Sequence, residues 1–193
     1  MSQPPIFASE VGTDNEIEIE KILPELAKVT VGHLKEFFHV APLNRTWDEI
    51  EKALSEGKQL KDVYQLSDDY MNGTYNDAKE KLAEDDFNGA KEIFLNLCLF
   101  NPTEPKYWGG LGKCFEGLNL YNEAVEVYKM LTLVTRGAEP LPYLCIGYCY
   151  LKLNDKKNAL EVLEEGKEIC DPTDFDKRPL LEQFENLIAI CNK

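Results

Sequence analysis

The chain has 193 residues, of which 44% are hydrophobic, and a formal net charge of −14 at pH 7. That length is enough for one domain with a substantial core, and the apolar content predicts that most of the chain folds. The negative charge argues against electrostatic binding to nucleic acid or an anionic membrane, and it favours partners that are basic or apolar. No stretch approaches the 18 apolar residues of a membrane span, so no membrane insertion is expected.

The first part of the chain differs in character from the rest. Residues 1–16 are polar and acidic, so they are expected to be disordered and to contain no signal peptide. Residues 17–58 are predicted to form an N-terminal helical extension that begins with a helix at Pro24–Phe38. That helix carries more apolar surface than a free helix should expose. It is expected to pack on the first repeat described below, on a second copy of the chain, or on another protein.

A second, short helix is predicted in the stretch "TWDEIEKALSEG". Thr46 is its expected N-cap, because Glu49 follows three residues later and completes a capping box. Gly57 is the expected end of the helix. Ser67 is then a candidate N-cap for the next helix.

A repeat of about 34 residues becomes visible when the stretches Tyr75–Pro102, Tyr107–Val134 and Pro142–Pro172 are aligned. Small, large and turn-forming residues recur at equivalent places, with spacings of 34 and then 35. The candidate structural repeat positions are Ala78, Gly112 and Gly147; Ala90, Ala124 and Ala159; Phe94, Tyr128 and Leu163; Trp108 and Tyr143; and Pro102 and Pro172. The pattern is typical of the tetratricopeptide repeat, in which small residues let the first helix of each pair approach the second.

The predicted fold class is all-α, a tetratricopeptide-repeat superhelix of three helical hairpins with an N-terminal helical extension and a C-terminal capping helix. The six repeat helices are predicted at Asp68–Glu84, Phe87–Phe100, Pro105–Gly117, Asn122–Val134, Pro140–Leu153 and Lys156–Ile169. Asn88-Gly89, Asn119 and Asn154-Asp155 mark the turns or their edges. Residues 59–172 hold the repeats, at about 71–104, 105–138 and 140–173, and residues 174–193 form the cap that a solenoid needs. Apolar residues recur at helical spacing within that cap.

Four glycines crowd the stretch from Tyr107 to Tyr128, although glycine weakens a helix interior. Gly112 is predicted to be a packing glycine and Gly117 to mark the end of a helix. Gly109 and Gly110 are not required by the repeat. Gly109 is expected to face the concave side and to leave room for a ligand there; the alternative is that both glycines are tolerated variation.

No motif of a known enzyme class is present, and no catalytic residue, cofactor or metal site is predicted. His33 and His39 are expected to be surface or packing residues, since six residues separate them and nothing nearby completes a metal site. Cys145 and Cys149 stand four apart but lack the second pair that a soft metal would need. The six cysteines are predicted to be reduced, buried and apolar in character.

The stretch "FNGAKEIFLNLCLFNPTEPKYWGGLGKCFEGLNLYNEAVEVY" resembles the class II chaperones of bacterial type III secretion, the SycD/LcrH/IpgC family. The resemblance covers about Gln59 to Cys170. The motif "LCLFNP" followed by "YWGGLG" makes the match specific, because the generic tetratricopeptide repeat does not require all of these residues. The N-terminal 58 residues are longer than most members carry, and "EDDF" replaces the usual "GKY" turn.

The resemblance implies a cytoplasmic chaperone whose clients are hydrophobic translocator proteins. It implies that a client's extended segment lies in the concave groove, with apolar anchors in pockets. Tyr75 matches an aromatic pocket residue, Leu82 is an apolar replacement for another such residue, and Lys79 departs from an apolar or aromatic position. Repeat geometry adds further groove-facing candidates: Gly109, Lys113, Glu116, Leu144 and Tyr148. Core packing is the alternative for Leu82.

Two rival functions are weighed against this one. A co-chaperone that clamps a terminal carboxylate needs Lys and Asn where repeat one has Tyr75 and Lys79, and basic residues where repeat three has Leu144 and Tyr148. A generic tetratricopeptide scaffold unrelated to secretion is the other alternative. The expected partners are secreted translocators, a second copy of the chain, and another secretion-apparatus or gatekeeper protein.

Overall fold

The computed structural model describes residues 46–170 and 178–193, and every helix or strand assigned in those ranges is a helix. The described residues up to Gln65 belong to one compact unit, and those from Leu66 onward belong to a second. The expectations for residues 1–16, for the helix Pro24–Phe38, for the two histidines and for Pro172 lie outside the described residues.

The first unit contains α1 (Trp47–Ser55) and α2 (Leu60–Val63). The capping box at the start of α1 is confirmed: the Thr46 backbone amide donates to Glu49 Oε2 at 2.7 Å, and the Glu49 amide donates to Thr46 Oγ1 at 3.3 Å. Gly57 follows α1 with a φ of 81°, as its predicted stopping role requires. The four-residue α2 was not predicted, because it is too short to show a helical period.

The second unit is an array of helical hairpins followed by one further helix. Its helices are α3 (Asp68–Ala83), α4 (Phe87–Phe100), α5 (Pro105–Gly117), α6 (Tyr121–Val134), α7 (Leu141–Lys152), α8 (Lys156–Ile169) and α9 (Arg178–Cys191). The bounds of α3 to α8 agree with the predicted ones to within one residue. In each hairpin the first helix packs on the second, and the second helix packs on the first helix of the next hairpin, so neighbours in sequence are neighbours in space.

The three turns inside the hairpins share one backbone feature. Asp85, Asn119 and Asn154 stand at equivalent positions and have φ values of 58°, 59° and 59°. Asn and Asp tolerate this left-handed conformation better than other residues with a side chain. The prediction of turns at Asn119 and Asn154 is confirmed. Asn88-Gly89 lies at the edge of its turn, within the first turn of α4, where the Gly89 amide donates to the Asp86 side chain at 2.9 Å.

A small residue on the first helix of each hairpin faces a large one on the second helix. A Cβ on Gly112 would lie 2.4 Å from Tyr128 Cε1, and one on Gly147 would lie 2.4 Å from Leu163 Cδ2. Both distances are too short for real contacts, so these positions require glycine as the helices now pack. The three second-helix alanines, Ala90, Ala124 and Ala159, are fully buried.

The repeat pattern does not require Gly110, but the interpretation of Gly110 as tolerated variation is wrong. A Cβ on Gly110 would lie 2.2 Å from Phe94 Cε1 of the preceding hairpin. Gly117 ends α5 as predicted, and it also packs closely, because a Cβ there would lie 2.4 Å from Phe87 Cδ1. Gly109 differs from both: its added Cβ would meet Leu131 Cδ2 at an ordinary 3.8 Å.

The loop between the first two hairpins is tied to the helix that follows it. Trp108 is half-buried and contacts the cores on both sides of α5, while its Nε1 donates to the Pro102 carbonyl oxygen at 2.7 Å. Pro102 itself is exposed. Trp108 therefore connects the end of one repeat with the beginning of the next.

Helix α9 covers the end of the array. Phe184 is fully buried and packs in the core of α7 and α8, close to Gly166 and Tyr143. Five further apolar residues of the predicted cap pack against the same core: Leu180, Leu181, Leu187, Ile188 and Cys191. Within the described ranges, no helix has the length and apolar character needed to cross a bilayer.

Candidate functional site

The first helices of the three hairpins present side chains at equivalent repeat positions, and we call this surface the A-helix face. Its members occupy four rows, each with one residue from α3, α5 and α7. The rows are Asn72, Lys106 and Leu141; Tyr75, Gly109 and Leu144; Lys79, Lys113 and Tyr148; and Leu82, Glu116 and Leu151.

The part of this face on α3 and α5 is built around the half-buried ring of Tyr75. The ring contacts Phe94 edge-on, with centroids 6.0 Å apart, and Tyr107 at 5.8 Å. Lys79 Nζ lies 5.7 Å from the Tyr75 centroid and Lys106 Nζ lies 5.0 Å from it. Two ammonium groups therefore lie near one aromatic ring, in an arrangement that favours cation–π attraction.

Lys106 joins the two helices at this point. Its ammonium group also lies 5.4 Å from the Tyr107 centroid and donates to Asn72 Oδ1 at 3.2 Å. Burial raises the pKa of Tyr107, and the nearby carboxylates Glu104 and Asp68 raise it further. Tyr107 is therefore a neutral hydroxyl at physiological pH.

The second part of the A-helix face is an apolar cavity of about 380 Å³ where α5, α7 and α9 meet. Its walls are Glu116 from α5; Leu141, Leu144, Cys145 and Tyr148 from α7; and Gln183, Asn186 and Leu187 from α9. Leu141 and Tyr148 are exposed to solvent by 52% and 37%, which is high for apolar side chains. A cavity of this size and composition can accept an apolar side chain of a ligand.

The carboxylate of Glu116, at the wall of the cavity, is hydrogen-bonded to a buried tyrosine. The Tyr128 hydroxyl, from the core of repeat two, donates a hydrogen bond to Glu116 Oε1. Desolvation by burial raises the pKa of Glu116, although this hydrogen bond and Lys113 oppose the shift. Burial also raises the pKa of Tyr128, so the hydroxyl keeps its proton.

The cysteines are free thiols, and none forms a disulfide. Four are buried as predicted, but Cys145 and Cys191 are half-buried, and Cys145 reaches the cavity. Burial raises the pKa of the Cys145 and Cys149 thiols to about 12, so both are protonated and poor nucleophiles. In the described ranges no group of three or more His, Cys, Asp or Glu side chains could hold a metal.

The structure brings the predicted groove residues together in two groups. Tyr75 and Lys79 lie in the α3–α5 part, while Glu116, Leu144 and Tyr148 line the cavity. Leu144 is largely buried there. Three further members lie between or beside these groups: half-buried Gly109, exposed Lys113 and half-buried Leu82. Leu82 packs against the core of repeat one, so the core-packing alternative describes much of its contact.

Several residues of the face were not singled out by the sequence. Lys106 and Leu141 occupy one repeat row with Asn72, so the repeat register contained the signal that would have found them. Gln183, Asn186 and Leu187 belong to α9, which lies outside the repeat pattern. Only the packing of α9 beside α7 places them at the cavity.

The chain is similar in sequence to a known chaperone and similar in fold to solved structures. No protein-family model matches the chain. The chain is 29% identical over 119 residues to the chaperone protein SicA of Salmonella typhimurium, an alignment that covers 61% of this chain and 68% of SicA.

Two solved structures share the fold. One is a type III secretion complex from Aeromonas hydrophila, with a TM-score of 0.69, 19% identity, and coverage of 75% of this chain and 95% of that one. The other is the Yersinia enterocolitica chaperone SycD with a peptide of the translocator YopD, with a TM-score of 0.62, 18% identity, and coverage of 66% and 95%. Among the described residues the chain is thus an all-α helical-repeat protein. The resemblance to the class II chaperones of type III secretion is confirmed.

Proposed function

We propose that this protein is a chaperone of bacterial type III secretion that binds a hydrophobic translocator protein and keeps it soluble before secretion. The client's extended segment lies along the A-helix face. The observation that carries the proposal is the apolar cavity on that face, at which the side chains of Leu141 and Tyr148 remain exposed to solvent. A client's aliphatic side chain would complete their burial.

The relatives support the same assignment. SicA is a chaperone, and SycD has been solved with a translocator peptide. A bound extended segment needs no cofactor and no chemical step, so the protein is a cytoplasmic binding module rather than an enzyme. The alternative, a generic tetratricopeptide scaffold or co-chaperone, predicts a partner without long apolar helices.

The proposed organisation follows from this function. Residues 59–172 are the client-binding repeats and residues 174–193 are their cap. Residues 17–58 form the extension that would associate with the repeats, with a second copy of the chain or with the secretion apparatus, and residues 1–16 are an acidic tail. Removal of residues 1–40, followed by mass measurement with light scattering and by thermal unfolding, separates the three roles of the extension.

The test begins with affinity capture of the tagged chain from its native cell and identification of the bound protein by mass spectrometry. We expect the captured protein to be a translocator with long apolar helices. Its binding is then compared between the wild type and the variant Leu141→Glu/Tyr148→Glu, which places two charges at the cavity mouth. The matched control is Leu133→Glu, since Leu133 is 60% exposed on α6 and lies off the A-helix face.

The cavity variant should lose the client while the control retains it. Far-ultraviolet circular dichroism shows whether each variant is folded. A folded cavity variant that binds the client as tightly as the wild type would remove the A-helix face as the binding site. A captured partner without apolar helices would favour the scaffold alternative.

A further inference from the structure

The A-helix face carries positive charge on a strongly acidic protein. The chain has 35 Asp and Glu residues against 21 Lys and Arg residues. Three lysines nevertheless occupy this face where it is formed by α3 and α5: Lys79, Lys106 and Lys113. Lys79 and Lys113 stand in the same repeat row, and Lys106 stands two rows away; Lys79 Nζ and Lys106 Nζ lie 5.7 Å and 5.0 Å from the Tyr75 ring centroid.

The contacts of Lys79 and Lys106 are with neutral groups. Lys106 donates to an amide oxygen and lies over two tyrosine rings, and Lys79 lies near one of those rings. No carboxylate in the described part of the chain forms an ion pair with either lysine. Elsewhere in the second unit, lysines pair with carboxylates at 2.8 to 3.7 Å; these are Lys81, Lys91, Lys129 and Lys167.

Two carboxylates of α3, Asp77 and Glu80, lie on other sides of the helix, whereas Asp68 and Glu104 lie near Tyr107 and raise its pKa. Asp77 and Glu80 are equivalent to Leu111 and Cys114 of α5, and both of those residues are buried. These positions therefore point away from the A-helix face. On α5 the carboxylate of the face is Glu116, which lies at the cavity end and is bonded to Tyr128.

We infer that the segment bound on the A-helix face carries an acidic side chain, held by Lys79 and Lys106, in addition to an aliphatic side chain held in the cavity. The inference rests on the proposed function and names the chemistry of the client segment. A carboxylate between the two ammonium groups would form charge-assisted hydrogen bonds, which are stronger than neutral ones. The tyrosine rings beneath hold the lysine side chains in place without neutralising them.

The overall negative charge of the chain does not oppose this arrangement. Charges separated by more than about 10 Å are largely screened at an ionic strength of about 0.1 M. Carboxylates farther than that from Lys79 and Lys106 therefore have little influence on a ligand held there. The two halves of the face then recognise two different features of one segment, which is more selective than an apolar groove alone.

The experiment uses the full chain and a library of random peptides of about 12 residues, which span roughly 40 Å when extended. The peptides are acetylated and amidated, so that no terminal carboxylate is present. The bound pool from the wild type should be enriched in both acidic and aliphatic residues. For a peptide chosen from that pool, replacing its acidic residue by the matching amide should weaken binding by about tenfold, the scale of one charge-assisted bond.

Variants assign the two features to their sites. Lys79→Gln/Lys106→Gln should lose the preference for acidic peptides but keep the aliphatic one, and Lys79→Arg/Lys106→Arg should keep both. Lys157→Gln is the matched control, because Lys157 is exposed on α8, away from the face. Raising the salt from about 0.1 M to about 1 M should reduce the acidic preference, since the screening length falls to about 3 Å.

The outcomes separate the inference from the proposed function. Aliphatic enrichment without acidic enrichment, or acidic enrichment that survives the glutamine variant, overturns the inference and leaves the proposed function standing. If the wild type enriches no peptide, or if Leu141→Glu/Tyr148→Glu enriches the same peptides as the wild type, the proposed binding face fails as well.

Discussion

The interior of repeat two and the A-helix face share one helix, α5, yet they place opposite demands on its residues. In the interior, Gly112 lies so close to the Tyr128 ring that no side chain fits, and the contact is the same in kind as that of Gly147 with Leu163. On the face, Gly109 has only an ordinary neighbour at 3.8 Å. The interior therefore limits the size of the side chain at Gly112 strictly, whereas the face can accept different side chains.

The polar groups of the interior also differ from those of the A-helix face. The interior satisfies its polar atoms within the protein, and the described residues contain no buried side-chain nitrogen or oxygen without a hydrogen-bond partner. The face instead presents lysines next to aromatic rings and an open apolar cavity. A stable array thus carries a surface whose groups are available to a ligand.

The largest effect is expected where α9 closes the interior. Phe184→Ala removes a fully buried ring that packs on Tyr143 and Gly166, and it should lower the free energy of unfolding by about 3–5 kcal/mol. Urea unfolding monitored by circular dichroism measures the change. Ile190→Ala, on the same helix but 46% exposed, is the control and should cost much less. Equal losses in the two variants would mean that α9 does not cap the repeats.

A smaller loss is expected at the close contact inside repeat two. Gly112→Ala forces the Tyr128 ring to move, and overpacking of this kind costs about 1–3 kcal/mol. The bulkier Gly112→Leu should cost more and unfold the repeat. Thermal unfolding checks both variants. A melting temperature equal to that of the wild type would show that the assumed repeat register is wrong.

The matched substitution on the face should raise the stability of the protein and not lower it. Gly109→Ala introduces a better helix former where space exists, so it should stabilise the protein by about 0.5–1 kcal/mol. The same thermal measurement decides the sign. A loss of stability would place Gly109 with the packing glycines and would remove the contrast between the two sides of α5.

The smallest effect is expected at Glu116, where interior and face meet. Because burial raises its pKa above the usual value of 4.5, the ionised form is less favourable in the folded chain than in the unfolded chain. The stability that the protonated form contributes is present below the unfolded pKa and is lost as the pH rises through the folded pKa.

Glu116→Gln keeps an acceptor for the Tyr128 hydroxyl but does not titrate. Relative to the wild type, the variant should gain stability as the pH rises from about 4 to about 7. Melting temperatures across that range measure the difference. A variant that becomes less stable than the wild type toward pH 7 would indicate that the ionised carboxylate is favoured in the folded chain.

Much of the fold could be predicted from the sequence, because the same spacing of small and large residues recurs in each repeat. The small residues at Ala78, Gly112 and Gly147 share one spacing with their large partners, and that agreement fixed the register and the ends of the helices. Local signals were equally direct at Thr46 and Gly57, since capping depends on a few neighbouring residues.

Other features were decided only by tertiary structure. Gly110 is a packing residue because Phe94 of another hairpin approaches it, and no local pattern records that approach. The cavity needs α9 beside α7, and Gln183, Asn186 and Leu187 have no repeat equivalents. The sequence by itself determined the helices, their pairing and the residues available to the A-helix face. Tertiary structure alone decided which of these residues meet, because contacts between hairpins depend on how whole helices stack and not on any spacing along the chain.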